Sequence, residues 1–557
     1  MQHPVRTLLA ALLPGLLFPA AAHAEDFYGT VEPFAREAVY FVLTDRFVNG
    51  DPSNDHRDQG GAHRSFDLPT PGAPPGESDN VGYLGGDFKG ILDNAGYIRD
   101  LGFTSVWITP IVDNPDEAFT GGDPVIWNGA FTDRGKTGYH GYWGINFYRL
   151  DEHLPSPGLD FAGFTRAMKD RQLDVVLDIV ANHGSPSYSM PAPQAQYGKL
   201  WDREGRLVAD HQNLRPEQLD PAGNPLHAFY NTGGGLAQLS DFNQDNPAVL
   251  DYLVGAYEQW IDQGASAFRV DTIAWMPHDF WKRFADRIRA RRPGFFMFGE
   301  NFNYDAASIA GHTWRRNGGY SVLDFPLKAK LAEVFEKPGS DFAELGKALY
   351  LEDGPYANPY DLMTFYDNHD MARMNAPDAG FIDAHNWLFT ARGIPVIYYG
   401  SEIGFMRGRA EHAGNRNYFG QDRIDGAPAH PIHAALKRIA HVRRDSPALQ
   451  RGLQLNVSLK GDQAVFYRVY DRAGERQTAL VLLNKADHPA TMRVSEYLQA
   501  GPWRDAFDGT TLRVGDELRA EVPAHGARVF FFDGAITRAD TVARLRELML
   551  RKTPKAD

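Results

Sequence analysis

The chain contains no cysteine among its 557 residues. Its stability therefore cannot come from disulfide bonds, and a thiol nucleophile and a cysteine-ligated zinc site are excluded. Positive charge is also scarce, because 57 Lys and Arg stand against 71 Asp and Glu, which gives a net charge of -14. A polyanion needs cations to neutralise its phosphates, so we expect no nucleic-acid partner. The ligand is expected to be neutral or cationic.

Long apolar runs are missing from the sequence except near the N-terminus, at residues 8–22. Arg6 is the only charged residue ahead of this run, and residues 22–24 supply an A-x-A cleavage site. A membrane anchor is the alternative, but two prolines interrupt the run and no basic patch follows it. We therefore expect residues 1–24 to be a cleaved signal peptide. The protein is then expected to be periplasmic or extracellular, with no membrane association after cleavage.

Apolar strand-like runs alternate with amphipathic helical stretches through most of the chain. Eight buried parallel strands with helical crossovers predict a closed (β/α)8 barrel, the TIM barrel. An open doubly wound sheet is the alternative, but no G-x-G-x-x-G motif opens any of the crossovers. The predicted strands begin near Val39, Ser105, Asp174, Gly264, Phe295, Val322, Leu362 and Pro395. Helices are predicted at residues 88–101, 160–173, 246–263 and 431–444.

Other stretches depart from this alternation and divide the chain. Residues 184–240, after the third strand, are rich in Pro, Gly and polar groups, which predicts a small subdomain inserted at the barrel rim. Residues 113–136 are a second excursion at the rim. Short alternating strands from residue 448 to 534 predict a C-terminal antiparallel β-sandwich domain. The barrel is therefore expected in two parts, residues 25–183 and 241–447, and residues 535–557 are expected to form a solvated helical tail.

Polar residues follow the ends of several predicted strands. Arg269 and Asp271 are two residues apart, so they point to the same face of their strand. Functional groups of barrel enzymes lie at the C-terminal ends of the strands, so we expect these side chains to converge. They are Asp178, Asn182, His183, Arg269, Asp271, Glu300, His369 and Asp370. Paired carboxylates facing a neutral, aromatic-lined cleft are typical of glycoside cleavage. Metal-assisted hydrolysis through the carboxylates stays open on composition alone.

The sequence resembles the α-amylase family of glycoside hydrolases, often called family 13, from Val39 to Asp533. The ordered segments of the family occur here as DIVANH, FRVDT, FGEN and YDNHD, and GYHGYW and LSDFN accompany them. The framework is most similar to cyclodextrin glucanotransferases and related α-amylases. This resemblance implies a barrel enzyme whose partner is an α-glucan oligosaccharide, and we expect it to be a monomer.

The resemblance also implies a role for each acid in a retaining double displacement. Asp271 would be the nucleophile, Glu300 the general acid and base, and Asp370 the stabiliser of the distorted sugar. Arg269 favours the charged form of Asp271, whereas Glu300 follows an apolar run without a basic neighbour in the sequence, which favours its protonated form. A retaining reaction places the first two carboxylates about 5 to 5.5 Å apart. The residues expected to bind substrate are His140, Tyr142, His183, Arg269, Trp275, His369 and Arg416.

An Asx-rich loop after the first strand suggests a cation site. Closely spaced oxygen side chains are what calcium prefers, although Asx residues are also common in turns. Cyclodextrin glucanotransferases carry DRF, a similar loop and a later GGD, and this resemblance favours Ca2+ in the loop. A second family calcium site matches the ANH and LSD segments. The two expected ligand sets are Asn49, Asp51, Asn54, Asp55, Gly85 and Asp87, and Asn182 and Asp241.

Two positions depart from the family pattern. Endo-acting amylases and transferases usually carry a Lys-His pair shortly after the nucleophile, where this chain has Ala274 and Trp275. Cyclising transferases place Tyr or Phe where this chain has Ala237. We therefore expect hydrolysis of α-1,4 bonds in soluble maltooligosaccharides or related glucans rather than cyclisation. A transglycosylase using the same residues, and an inactive carbohydrate-binding protein of the same fold, are the alternatives.

Overall fold

Eight parallel strands joined in one sheet occupy the centre of the molecule. The computed structural model describes residues 25–75, 80–337 and 339–551, so the predicted signal peptide lies outside the described residues. The strands are buried along their length, which is why each reads as a short apolar run in the sequence. They are β1 Val39–Val42, β2 Ser105–Ile108, β3 Asp174–Ile179, β4 Ala267–Val270, β5 Phe296–Gly299, β6 Ser321–Val322, β7 Met363–Thr364 and β8 Ile394–Tyr398.

The sheet closes on itself. Its strand order is β6-β5-β4-β3-β2-β1-β8-β7, which leaves β6 and β7 at the two edges. A parallel bridge between Leu323 and Met363 joins these edges, and the Asp324 N–H donates to the Met363 carbonyl at 2.9 Å. The prediction of a closed (β/α)8 barrel is therefore confirmed, and the C-terminal ends of all eight strands surround one mouth.

Helices cover the outside of the barrel. The helix Pro247–Asp262 starts where sequence chemistry directs it, because Asn246 accepts the Ala248 N–H at 3.0 Å and Pro247 suits the first turn. The stretch predicted as one helix at residues 88–101 is instead two short helices, since Asn94 leaves the helical conformation between them. Among the described residues, no helix combines the length and the apolarity that crossing a bilayer requires. The longer helices are Phe88–Asp93, Ala95–Asp100, Phe161–Asp170, Pro247–Asp262, His278–Arg291, Phe325–Phe335, Asp378–Leu388, Gln421–Gly426 and Pro431–Arg444.

The chain after β3 passes over the barrel rim before it returns to the barrel. The strand His183–Pro186 pairs antiparallel with Leu239–Asp241 at the base of this excursion. Farther out, Lys199–Trp201 pairs with Leu207–Asp210. His183, which the sequence places in the barrel, is thus already part of the small rim sheet.

A β domain follows the barrel. Six antiparallel strands form one sheet in the order β9-β10-β11-β16-β13-β14, and β12 pairs with β15. Residues 464–470, 478–483, 490–494 and 528–532 are the strands that the sequence predicts here, and they correspond to β10, β11, β12 and β16. Strands β9, β13, β14 and β15 were missed because exposed polar residues interrupt them. The strands are β9 Leu453–Lys460, β10 Gln463–Arg472, β11 Glu475–Asn484, β12 Ala490–Val494, β13 Gly501–Asp505, β14 Thr511–Val514, β15 Leu518–Val522 and β16 Gly526–Phe532.

The last helix, Ala539–Arg551, packs against the rest of the protein. Leu545 and Leu548 are buried on one face of this helix. Arg544 and Arg546 form ion pairs with Glu352 and Glu25. The prediction of a solvated tail is therefore wrong, because the apolar residues three apart cover a surface of the β domain.

Candidate active site

Arg269 lies at the centre of an acidic cluster at the mouth of the barrel. Its side chain, on β4, is 0% exposed. Nη1 donates to Asp178 Oδ1 at 2.9 Å and to Asp271 Oδ1 at 2.8 Å, and Nη2 lies 2.8 Å from Glu300 Oε2. Asp370 Oδ2 lies 4.0 Å from Nη2. One buried guanidinium therefore gathers four carboxylates that come from the ends of four different strands.

Asp178 is a second anchor of this cluster; the sequence predicted that it lies at the mouth but assigned it no role. Its Oδ2 accepts hydrogen bonds from Tyr142 Oη at 2.8 Å and Trp107 Nε1 at 3.0 Å. Burial raises the pKa of Asp178 to about 7, against the opposing effect of Arg269. The position of Asp178 within the DIVANH segment was the available signal. Its contacts orient Arg269 and Tyr142 rather than opening to the cleft.

Glu300 is a buried acid whose pKa is raised. It follows β5 and is 5% exposed. Burial raises the pKa of Glu300 well above its usual value, and the charges of Asp370 and Asp271 add to this rise while Arg269 opposes it. The sequence showed no basic neighbour for Glu300, whereas the fold places Arg269 beside it. Burial nevertheless dominates, so the environment of Glu300 favours its protonated form.

Asp370 is held in its charged form from several sides. Arg416 Nη2 donates to Asp370 Oδ1 at 2.8 Å, and His369 Nε2 lies 3.2 Å from Oδ2. Burial acts to raise the pKa of Asp370, but His369, Arg416 and Arg269 outweigh it and keep the pKa below its usual value. The side chain of Asp370 is 22% exposed, more than Asp271 or Glu300. It is therefore a carboxylate that faces the cleft.

Aromatic and imidazole rings line the same mouth. Tyr142 and His369 stack with ring centroids 5.4 Å apart, and His140 lies 5.7 Å from Tyr142. Burial lowers the pKa of His369 to about 3 and that of His140 well below its usual value. Burial also lowers the pKa of His183. These imidazoles are therefore neutral at neutral pH, and each can donate or accept a hydrogen bond without adding charge.

Trp275 is an exposed aromatic ring close in sequence to the acidic cluster. It follows Asp271 by four residues in a short helical turn, and it is 54% exposed. Two more exposed rings, Phe302 and Tyr304, follow Glu300 and lie 6.1 Å apart in an edge-to-face arrangement. Large aromatic groups that stay exposed are typical of a surface that packs against a flat ligand face.

The first predicted cation loop contains unpaired oxygen atoms. Among the described residues, Asn49 Oδ1 and Asn54 Oδ1 are buried and have no hydrogen-bond partner. Gly85 packs so closely that a Cβ added there would lie 2.3 Å from Asn49 Nδ2 and 2.4 Å from Asp55 Oδ1. Buried amide oxygens without donors beside a carboxylate are the ligands that calcium prefers. The residues present therefore fit a hard cation.

Asp51 and Asp87, two other members of this predicted set, accept hydrogen bonds from the backbone. Asp51 Oδ1 accepts the Ser53 N–H at 3.0 Å at the start of a short turn. Asp87 Oδ1 accepts the Gly90 N–H at 2.6 Å and so caps the helix Phe88–Asp93. The turn and cap functions of these acids are compatible with the reading of the loop as ordinary Asx turns.

The second predicted cation pair is already joined directly. Asn182 Nδ2 donates to Asp241 Oδ1 at 2.9 Å, and the Leu236 N–H donates to Asp241 Oδ2 at 2.8 Å. Burial raises the pKa of Asp241 to about 6. Both carboxylate oxygens accept protein hydrogen bonds, so this pair fits a cation less well than the first loop does.

A further acidic group, Asp151, Glu152 and His153, brings metal-ligand atoms within 4.8 Å of one another. Asp151 Oδ1 and His153 Nδ1 are 2.9 Å apart, and Glu152 Oε1 accepts from Gln59 at 2.5 Å, whereas His153 Nε2 is buried without a hydrogen-bond partner.

A closed parallel barrel that gathers acids, an arginine and imidazoles at the C-terminal ends of its strands has the architecture of a barrel enzyme. Comparison with known proteins is more specific. The alpha-amylase catalytic-domain family matches residues 41–423. This chain belongs to the alpha-amylase family, and as a member it is a glucan-acting enzyme of the hydrolase or transferase type.

Three relatives illustrate the range of this family. The cyclomaltodextrin glucanotransferase of Bacillus sp. (strain 38-2) is 29% identical over 529 residues, which span 92% of this chain and 69% of that protein. The alpha-amylase of Niallia circulans is 28% identical over 497 residues, 86% of each chain. The solved structure of CldA, a cyclomaltodextrin glucanotransferase with three domains, has a TM-score of 0.73 and 28% identity, and the match covers 90% of this chain and 99% of that one.

Proposed function

We propose that this protein is a retaining α-glucan hydrolase that cleaves α-1,4-glucosidic bonds in soluble maltooligosaccharides or related glucans. The observation that carries the proposal is the arrangement of three acids around Arg269. Asp271 and Glu300 each lie 2.8 Å from one of its terminal nitrogens, while Asp370 lies 4.0 Å from Nη2 and is more exposed than the other two. Burial favours the protonated form of Glu300, which is what the acid of a double displacement requires.

Asp271 is the proposed nucleophile. Its Oδ1 accepts from Arg269, and its Oδ2 accepts from Thr272 Oγ1 at 3.0 Å. Both donors stabilise negative charge on this carboxylate. Attack by an Asp271 oxygen forms a bond to the anomeric carbon as the glycosidic C–O bond breaks. Water then releases the sugar from Asp271 with the original anomeric configuration.

Glu300 is the proposed acid and base. Its raised pKa keeps the proton that the leaving glycosidic oxygen takes in the first step. The resulting carboxylate then takes a proton from the attacking water in the second step. Asp370, held by Arg416 and His369, binds hydroxyls of the distorted sugar. His140, His183, His369 and Tyr142 are the proposed remaining contacts to the sugar in the cleaved subsite, and Trp275 is the proposed platform for the sugar beyond it.

Calcium at the first loop is a separate part of the proposal. The buried oxygens of Asn49 and Asn54, with Asp55 beside them, would hold the ion. Bound Ca2+ supplies the positive charge that keeps these oxygens together, and no catalytic step depends on it. We also propose the domain limits given above, export after cleavage of residues 1–24, and a monomeric protein.

The proposal is tested by following the first product released from maltoheptaose by NMR. We expect the wild type to release the α-anomer, and Asp271→Asn to lose activity while calorimetry still detects maltoheptaose binding. Asp279→Asn is the matched control, because its side chain is 73% exposed on the helix His278–Arg291. A β-anomeric first product, or an active Asp271→Asn variant, contradicts the proposed mechanism.

A transglycosylase using the same residues is the second candidate. The exposed ring of Trp275, beside Ala274, supports it, since an apolar surface next to the leaving-sugar side favours a sugar acceptor over water. Incubation at high maltotriose concentration separates the two reactions, because only transfer yields products longer than the substrate. A wild type that binds maltoheptaose but releases nothing points to the third candidate, an inactive carbohydrate-binding protein.

A further inference from the structure

Glu411 occupies a buried chain of alternating charges that runs from the barrel rim to Asp370. Glu411 Oε1 lies 2.8 Å from Lys136 Nζ and 3.1 Å from Arg416 Nη1. The other end of the Arg416 guanidinium donates to Asp370 Oδ1 at 2.8 Å. Exposure of the Lys136, Glu411 and Arg416 side chains is 4%, 5% and 7%. The guanidinium is therefore held between two carboxylates, and only one of them faces the cleft.

The second carboxylate oxygen of Glu411 forms a hydrogen bond with the rim excursion at residues 113–136. Glu411 Oε2 accepts the Phe131 N–H at 3.0 Å. This contact holds a backbone in the left-handed region, because Phe131 has a φ of 56°. The next residue adds a second link, since His412 Nε2 lies 3.2 Å from the Thr132 carbonyl. The loop after β8 and the excursion after β2 are thus locked together at this acid.

Glu411 and Lys136 stay charged over the pH range in which enzymes work. Burial acts to raise the pKa of Glu411, but Arg416 and Lys136 outweigh it and hold the pKa well below its usual value. The Glu411 and Asp133 charges raise the pKa of Lys136 despite its burial. Removing one member of such a buried pair leaves the other without compensation. Glu411 and Lys136 therefore act on the cleft through the position of Arg416, and the charge of Glu411 also raises the pKa of Asp370.

We propose that Glu411 and Lys136 are positioning residues that hold Arg416 against Asp370 and so fix the carboxylate facing the distorted sugar. This inference rests on the proposed function, because the role of Asp370 is part of that proposal. Lys136 sets the position of Glu411, and Glu411 is the second anchor for the Arg416 guanidinium. Arg416 in turn holds Asp370 in place. A lysine at 416 could not replace it, because an ammonium lacks the planar fork that bridges two carboxylates.

The test compares Glu411→Gln with Glu402→Gln in kinetics on maltoheptaose. Glu402 is the matched control, because it is also buried and lies on the same loop after β8. Its carboxylate accepts from the Tyr40 and Tyr97 hydroxyls at 2.7 Å and does not contact Lys136, Glu411 or Arg416. We expect both variants to lower the Tm. Only Glu411→Gln is expected to lower kcat, by about 10- to 100-fold with a smaller change in KM, because displacement of a reacting group by about 1 Å has effects of this size.

The pH profile gives a readout that a purely structural role would not change. The negative charge of Glu411 raises the pKa of Asp370, so its removal is expected to move the acid limb of the kcat profile to lower pH. Lys136→Met provides a second variant if Glu411→Gln does not fold. Its effect on kcat and that of Glu411→Gln should be non-additive in the double variant.

The outcomes separate the two proposals. A wild type that releases no product from maltoheptaose overturns the proposed function, and the positioning role with it. An active wild type together with Glu411→Gln and Lys136→Met variants that keep the wild-type kcat and acid limb, with only a lower Tm, overturns the positioning role alone.

Discussion

Replacing Arg269 by lysine is the most direct way to test how the acidic cluster is held. The guanidinium contacts Asp178 at 2.9 Å and Asp271 at 2.8 Å through Nη1, and Glu300 at 2.8 Å through Nη2. Lysine keeps the charge but presents it at a single nitrogen on a flexible stem. An ammonium near the Nη1 position can retain the first two contacts, and it then loses the contact with Glu300.

The expected size of the effect follows from that lost contact. Without the ion pair to Arg269, Glu300 Oε2 is left buried without its partner, and an unsatisfied buried acceptor costs about 1 to 3 kcal/mol, so Arg269→Lys should lower the free energy of unfolding by about this amount. Arg269 also lowers the pKa of Glu300, and its withdrawal from Glu300 should raise that pKa further. Because the proposed reaction needs protonated Glu300, the alkaline limb of the kcat/KM profile should move to higher pH. Misplacement of the reacting acid should lower kcat by about 100-fold.

Urea denaturation and a pH profile of kcat/KM on maltoheptaose measure these changes. The matched control is Arg287→Lys, since Arg287 pairs with Asp251 at the surface and its side chain is 44% exposed. The reasoning is refuted if Arg269→Lys changes the free energy of unfolding by less than about 0.5 kcal/mol, as a surface change does, and leaves the alkaline limb in place.

Three further predictions concern other parts of the molecule. Gly85→Ala would put a Cβ 2.3 Å from the nearest amide nitrogen of the cation loop, so calorimetry should show that added Ca2+ raises the Tm of the wild type and of a Gly96→Ala control but not of this variant. His525 has its pKa raised to about 9 by its hydrogen bond with Asp383, so its contribution to stability is complete below pH 6.5 and is lost as pH rises through 9. The difference in unfolding free energy between the wild type and His525→Gln should therefore shrink between pH 6.5 and 9, and a constant difference would contradict this. Trp275→Ala should raise KM for maltoheptaose by about 3- to 10-fold, the size of one aromatic contact, and an unchanged KM would mean that the ring does not bind sugar.

The barrel could be predicted from the sequence because its strands are buried on both faces. Such strands leave continuous apolar runs, and the predicted and observed strands agree to within a few residues from β1 to β8. The β domain was harder to predict. Its strands β13, β14 and β15 expose alternate residues, as in the exposed-intermediate-exposed-buried pattern of Thr511–Val514, so their apolar signal is weak. Burial on one face gives a period of two that short polar strands barely show.

The acids at positions 271, 300 and 370 follow directly from the order of residues, since each comes just after a barrel strand and the ends of parallel strands meet. The partners of these acids do not follow from that order. The sequence paired Arg269 with Asp271, its neighbour in the chain. In the fold, Arg269 donates to Asp271 and also forms an ion pair with Glu300, each at 2.8 Å. Lys136 and Glu411 are 275 residues apart, and no local pattern relates them. Charges interact across space rather than along the chain, so the order of residues indicated the proposed reacting groups, and the folded arrangement of distant loops determined which cations contact them.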